Sequence, residues 1–115
     1  MSYITFACKK VSIESIIRCG FGLNKTEYTV LKFLLNKDEE DIVSIAKSIK
    51  KDRTTAQRCI KKLISQGLVS RRQVNLEEGG FIFYYKVKDK DEIKKNVYSN
   101  FCNWRDLVEK ELKNW

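Results

Sequence analysis

The sequence lacks several features on which common chemistries depend. It has no histidine and no proline, its four cysteines form no CxxC pair, and it contains no run of about 18 apolar residues. Without histidine or paired cysteines, a zinc site would require an unusual cysteine-only assembly, and a nucleophilic enzyme would lack its base. No glycine-rich phosphate loop is present either. We therefore expect no metal, no cofactor, no enzymatic activity and no membrane span.

What remains is the composition of a small globular protein. With 115 residues, of which 43% are hydrophobic, the chain can form one domain with a modest core, or one domain whose last element is buried by a partner chain. The N-terminus shows no signal-peptide pattern, so we expect a cytoplasmic location.

Two short helices joined by a tight turn are predicted in the middle of the chain. Asp52 is a good N-cap and Gly67 suits a helix end, which together predict a helix over Arg53–Gln66. Its apolar arc contains Ala56, Ile60, Leu63 and Ile64. The preceding helix has its own apolar series at Ile42, Ile45, Ala46 and Ile49. Helix, three-residue turn and helix is the spacing of a helix-turn-helix, whose second helix lies in the DNA major groove.

The net positive charge is concentrated on this helix pair and the strand after it. Residues 44–72 contain nine cations and one acid, Asp52, which gives +8, the net charge of the whole chain. This leaves 14 of the 23 cations and 14 of the 15 acids elsewhere, where they cancel. Such a concentration of positive charge is expected of a surface that contacts nucleic-acid phosphates, and it is not typical of a solubilising helix face.

Two elements are predicted at the N-terminus. Residues 3–8 are β-prone and could form an edge strand or an arm that reaches a second subunit. Ser12 is expected to cap a short amphipathic helix over Ile13–Cys19, which Gly20 stops.

A central helix follows. Asn24 and Glu27 have the spacing of a capping box at its start, and we expect it to end near Asn36. Its mostly buried side is predicted to contain Val30, Leu31, Leu34 and Leu35. The segment Lys37–Asp41 is interpreted as a polar linker.

After the helix-turn-helix, residues 68–74 and 81–87 are strand-like and predict a β-hairpin, or wing. The connection between them, residues 75–80, is named the wing tip here, and it contains Glu77 and Glu78. These acids disfavour close approach of the tip to phosphates.

Residues 89–115 contain no glycine and predict one long helix. One wide arc of this helix is apolar, and its members are Ile93, Val97, Phe101, Trp104, Val108, Leu112 and Trp115. We interpret this stripe as a dimer interface, because one small domain has little surface left to cover it. An intramolecular core and a small-molecule pocket lined by the aromatic rings are the alternatives.

Three stretches resemble the winged helix-turn-helix domains of the TrmB-like and MarR-like transcription regulators of archaea. They are FGLNKTEYTVLKFLL, IAKSIKKDRTTAQRCIKKLISQGLVSRR and FYYKV. The shared features are GL-x-x-x-E before the first core helix, IA-x-S-I on the bracing helix, and K-x-L-x-x-x-GLV-x-R at the end of the recognition helix. Two departures are the acidic wing tip and the absence of a following ligand domain.

The resemblance implies roles for individual residues. Base contacts are implied for Arg53, Thr54, Thr55, Gln57 and Arg58. Phosphate contacts are implied for Lys50, Lys51, Lys61, Lys62, Arg71 and Arg72. No small-molecule effector is expected, although one stays open as an alternative.

The combined prediction is a mainly α-helical α+β protein, a winged helix-turn-helix with a long C-terminal dimerisation helix. It divides into an N-terminal arm and short helix (1–22), the winged domain (23–88) and the last helix (89–115). The predicted function is sequence-specific binding of double-stranded DNA by a homodimer that regulates transcription. The alternative is a winged helix that binds other proteins within a transcription complex.

Overall fold

A computed structural model describes residues 5–6 and 9–115 of the chain. Within that part, five helices and a β-hairpin confirm the predicted α+β class. The elements in chain order are β1 Thr5–Phe6, β2 Lys9–Lys10, α1 Ile13–Phe21, α2 Lys25–Leu35, α3 Ile42–Ile49, α4 Arg53–Ser65, β3 Val69–Asn75, β4 Phe81–Val87 and α5 Lys90–Lys113.

The first helix, α1, is longer than predicted. Gly20 lies inside its last turn, and the helix ends instead at Gly22, whose φ of 67° is left-handed. The backbone N–H of Gly22 donates to the carbonyl of Arg18, as expected for a glycine that ends a helix. The prediction that Gly20 stops the helix was therefore wrong.

Gly20 instead allows α1 and α5 to pack closely. A β-carbon at this position would collide with Cγ2 of Val97 and would lie 3.2 Å from Cε2 of Phe101. Beside this contact, the Asn100 side-chain amide donates to the Gly20 carbonyl at 2.9 Å. The first half of α5 is thereby fixed to the rest of the domain.

The helix N-caps agree with the sequence. The Asn24 side chain accepts from the backbone N–H of Glu27, and the Glu27 carboxylate accepts from that of Asn24, both at 2.8 Å. Asp41 and Asp52 cap α3 and α4 in a similar way. The last of these helices, α4, ends at Ser65, one residue earlier than predicted.

Helices α2, α3 and α4 surround the core together with the base of the hairpin. The most fully buried large side chains are Leu34, Ile45, Leu63, Leu68, Val30 and Val69. Two residues of the predicted apolar arcs, Leu35 and Ile64, are instead more than one third exposed. The buried arc on α4 is therefore rotated from the predicted one, away from Ile64 and toward Cys59, which is buried.

The wing is an antiparallel hairpin with a regular register. It runs from the pair Val69–Val87 at its base to the pair Asn75–Phe81 at its end. Tyr85 also exchanges backbone hydrogen bonds with Glu40, at 2.9 and 3.1 Å. The segment that was predicted to be a polar linker therefore adds a single β-bridge to the hairpin.

The long helix α5 is only partly covered by its own domain. Ile93 and Val97 are buried in the core, whereas the helix beyond Phe101 extends away from it. The elongated dimensions, 62 × 28 × 25 Å, reflect this extension. Two members of the predicted dimer interface, Ile93 and Val97, are therefore already covered within the chain.

The prediction for residues 3–8 lies mostly outside the described residues. Within the described part, Thr5–Phe6 pairs antiparallel with Lys9–Lys10. Among the described helices, none combines the length and the apolar character needed to cross a membrane.

Candidate nucleic-acid interface

The outer face of α4 presents polar and cationic side chains to solvent. Arg53, Thr54, Gln57, Arg58 and Lys61 are all exposed, whereas Thr55 and Lys62 are partly covered. The helix contains no acidic residue. This face therefore combines the hydrogen-bonding groups needed to contact bases with the cations needed to contact phosphates.

The acid that precedes α4 is used by the helix cap. The carboxylate of Asp52 accepts from the backbone N–H of Thr55 at 3.1 Å. Hydrogen bonding from the Thr55 hydroxyl and backbone lowers the pKa of Asp52. Asp52 therefore stays ionised at the helix N-terminus, where the backbone of Thr55, one of the predicted base contacts, takes part in the cap.

The turn between α3 and α4 contains a strained lysine. Lys50 has a φ of 56°, and it is the one non-glycine residue with positive φ among the described residues. Its N–H donates to the carbonyl of Lys47, and that of Lys51 donates to Ala46, which closes α3. Both Lys50 and Lys51 are exposed next to the start of α4.

The two arginines at the base of the wing lie on opposite faces of the hairpin, as neighbours on a strand must. The guanidinium of Arg72 contacts the Glu39 carboxylate at 3.0 Å and lies 5.5 Å from the centre of the Tyr84 ring. The guanidinium of Arg71 instead lies 4.3 Å from the centre of the Phe83 ring. Of the two predicted phosphate contacts, Arg71 lies beside α4. The charge of Arg72 is partly neutralised by Glu39.

An open cleft of about 530 Å³ separates α4 from the base of the wing. Its lining residues are Gln57, Ile60, Lys61, Ile64 and Arg71. Gln57 and Lys61 come from the recognition helix and Arg71 comes from β3, so the structure brings together predicted base and phosphate contacts from two elements. We name this feature the α4–wing cleft.

The wing tip is acidic and partly apolar. Glu77 and Glu78 are exposed, and Leu76 and Phe81 beside them are each at least half exposed. Gly79 and Gly80 both have positive φ, which lets the chain reverse. The tip therefore differs in charge from the rest of the candidate interface.

The second half of α5 exposes large apolar side chains. Trp104 is 56% exposed, Leu112 is 63% exposed and Trp115 is fully exposed. Phe101 is 36% exposed, and Val108 is partly buried. An apolar stripe of this size on one projecting helix is typical of a protein interface rather than of a solvated surface.

Sequence reasoning did not identify Phe83 and Glu39, the side chains that position the two arginines. The hairpin register contains the missing information. Arg71 pairs with Tyr85, so Phe83, two residues away on β4, lies on the same face and diagonally opposite. Glu39 could not be found in this way, because the bridge that brings its segment to the hairpin involves residues distant in sequence.

Comparison with known families gives one match that spans most of the chain. Residues 17–92 match the family described as the sugar-specific transcriptional regulator TrmB. An uncharacterized protein of Methanocaldococcus jannaschii is 34% identical over 96% of this chain and 91% of its own length. A second uncharacterized protein from that organism is 31% identical over 90% of this chain and 78% of its own length.

Solved structures agree with this match. A possible transcriptional regulator from Methanosarcina mazei Go1 superposes with a TM-score of 0.85, at 35% identity over 99% of this chain and 97% of that one. A homodimeric winged helix-turn-helix DNA-binding domain from Mycobacterium bovis has a TM-score of 0.53 at 22% identity. It covers 89% of this chain and 83% of its own, and the similarity supports the winged-helix fold.

Proposed function

Because the chain belongs to the TrmB family of transcriptional regulators, we propose that it binds double-stranded DNA sequence-specifically as a homodimer, with α4 in the major groove. The observation that carries this proposal is the outer face of α4, which is cationic, hydrogen-bonding and free of acids. The family and the fold are those of transcriptional regulators and not of enzymes.

The proposed base contacts are in the first half of α4. Arg53, Thr54, Gln57 and Arg58 are exposed there, and Arg58 can pair with two acceptors of a guanine. Thr55 is retained with a smaller role, since it is only partly exposed. The proposed phosphate contacts are Lys50, Lys51, Lys61, Lys62, Arg71 and Arg72. Of these, Arg72 lies on the opposite face of the hairpin from Arg71 and contacts Glu39.

Selecting bound sequences from a random duplex pool tests the proposal, and Arg58→Ala then tests the base contacts. If Arg58 pairs with guanine, its loss should weaken binding by about 1–3 kcal/mol and relax the preference at one base pair. Lys61→Ala, on the same face, is the matched control and should weaken all duplexes alike. Selection that recovers no preferred sequence would contradict the specific function.

Lys50 offers a test in which stability and binding change in opposite directions. Lys50→Gly removes the strain of a left-handed lysine, so the free energy of unfolding should rise by about 1 kcal/mol. The lost cation should weaken DNA binding severalfold in low salt. Lys50→Asn also tolerates this conformation and should lose affinity with less gain in stability. Thermal melts and binding titrations measure both, and full DNA affinity of Lys50→Gly would remove Lys50 from the proposed contacts.

The acidic wing tip should not be needed for DNA binding. Changing both Glu77 and Glu78 to Gln should leave duplex affinity unchanged or raise it slightly, because the tip would face phosphates unfavourably. Titration of the selected duplex measures this. A clear loss of affinity would show that the acids contact the DNA, for example a cytosine amino group.

One observation favours protein binding as a second candidate function. The wing tip and the adjoining first residue of β4 combine two acids with the exposed Leu76 and Phe81, a composition suited to a protein partner. If this were the main role, the isolated protein should show no salt-sensitive binding to duplex DNA. DNA binding that weakens steeply with salt would favour the first function.

A further inference from the structure

The face of the wing that looks toward α4 has an ordered aromatic support. The rings of Phe81 and Phe83 contact each other edge to face, with centres 5.1 Å apart. The guanidinium of Arg71 lies 4.3 Å from the centre of the Phe83 ring, within cation–π distance. Arg71 is exposed, yet this ring restricts where its charge is found.

The α4–wing cleft has cations on both of its sides. Lys61 approaches from α4 and Arg71 from β3, and Gln57 adds a neutral amide. None of the five lining residues is acidic. Ile60 and Ile64 supply an apolar wall, and Ile64 is 37% exposed.

This combination matches one unit of a nucleic-acid backbone. A guanidinium and an ammonium can bind the oxygens of a phosphate, and the guanidinium can donate two parallel hydrogen bonds. The apolar wall suits the carbon face of the adjoining deoxyribose. A small apolar ligand would leave both cations without partners, and an acidic peptide would leave the wall uncovered.

We propose that the α4–wing cleft holds one backbone phosphate of the bound duplex between Lys61 and Arg71, and that Phe83 is the positioning residue for Arg71. The inference rests on the proposed DNA-binding function and deepens it. Phe83 carries no charge, and its contribution to affinity passes through the guanidinium of Arg71. Without the Phe83 ring, the Arg71 side chain is free to move, and the entropy that it loses when it contacts the phosphate weakens binding.

The test uses the full chain and the selected duplex. Arg71→Gln should weaken binding about tenfold and make the log–log salt slope less steep by about 0.9 per protomer. Phe83→Leu should weaken binding about fivefold through the lost cation–π support. Phe83→Tyr keeps an aromatic ring and should bind like the parent. In the background of Arg71→Gln, Phe83→Leu should have no further effect.

Several outcomes would overturn the inference. One is full DNA affinity of Phe83→Leu. Another is a double variant, Arg71→Gln with Phe83→Leu, whose loss of affinity equals the product of the two single losses. A thermal melt of each variant identifies losses of affinity that are due to unfolding. If Phe83→Leu is destabilised, the inference still requires Phe83→Tyr to bind DNA with the affinity of the parent protein.

Neutral methylphosphonate substitutions in the duplex locate the phosphate directly. One position should weaken the parent protein but not Arg71→Gln, and Phe83→Leu should show a reduced effect at that same position. The absence of any such position would also refute the inference. If the parent protein does not bind duplex DNA at all, the proposed function fails; if it binds but Phe83 shows no coupling to Arg71, only this inference fails.

Discussion

Raising the monovalent salt concentration fourfold is expected to weaken duplex binding by about four to seven orders of magnitude. The reason is that each protomer is proposed to neutralise about four to six phosphates, and each contact contributes about −0.9 to the slope of log affinity against log salt. The expected slope for a dimer is therefore about −7 to −11. Fluorescence anisotropy with a labelled duplex at several salt concentrations measures it.

A pair of charge-matched variants tests where the effect originates. Lys61→Gln with Lys62→Gln removes two cations from α4, and should make the slope less steep by about 3.6 per dimer. Lys94→Gln with Lys95→Gln removes the same charge from exposed positions of α5. It should change the slope little. Equal changes of slope in both variants would mean that net charge, and not the α4 face, drives binding. A slope near zero for the parent protein would refute DNA binding.

The fold was largely predictable because its local signals agree with its tertiary contacts. Asn24 with Glu27 and Asp52 before Arg53 specify helix starts by short-range hydrogen bonds, which sequence spacing alone can identify. Gly20 and Gly22 were harder. Both are able to end a helix, and only the structure shows that Gly22 takes the left-handed conformation, whereas the glycine at position 20 makes room for Val97.

The candidate interface was predictable in its charges but not in its arrangement. The sequence shows that residues 44–72 hold the whole net charge. It does not show that Arg71 and Arg72 lie on opposite faces of the hairpin. Nor does it show that Phe83 contacts Arg71 and that Glu39 contacts Arg72. These are contacts between segments, and they depend on hairpin register and on the bridge at Glu40.

The same limit applies to α5. Hydrophobic periodicity identifies the apolar side of a helix, but not which part of that side the chain itself covers. The structure divides the stripe near Phe101. Ile93 and Val97 belong to the core, and Trp104, Leu112 and Trp115 are left exposed.

Replacing Trp104 by Ala is expected to dissociate the proposed homodimer. A tryptophan ring removed from water contributes about 1.5–3 kcal/mol, and the two-fold symmetry of a dimer doubles the loss. The dimer dissociation constant should therefore rise by about two to four orders of magnitude. Phe101→Ala should add to this by less, because that ring is partly covered by α1. Sedimentation equilibrium at tens of micromolar measures the change.

DNA affinity should fall together with dimerisation. One recognition helix reads few base pairs, and two half-sites about 34 Å apart are needed for tight specific binding. Lys110→Ala, on the opposite side of α5, is the matched control and should remain dimeric. A chain that ends at Asn103 keeps Ile93, Val97 and the Asn100–Gly20 hydrogen bond, so it should fold as a monomer. A monomeric parent protein, or a dimer unaffected by Trp104→Ala and by this truncation, would show that the stripe is not the dimer interface.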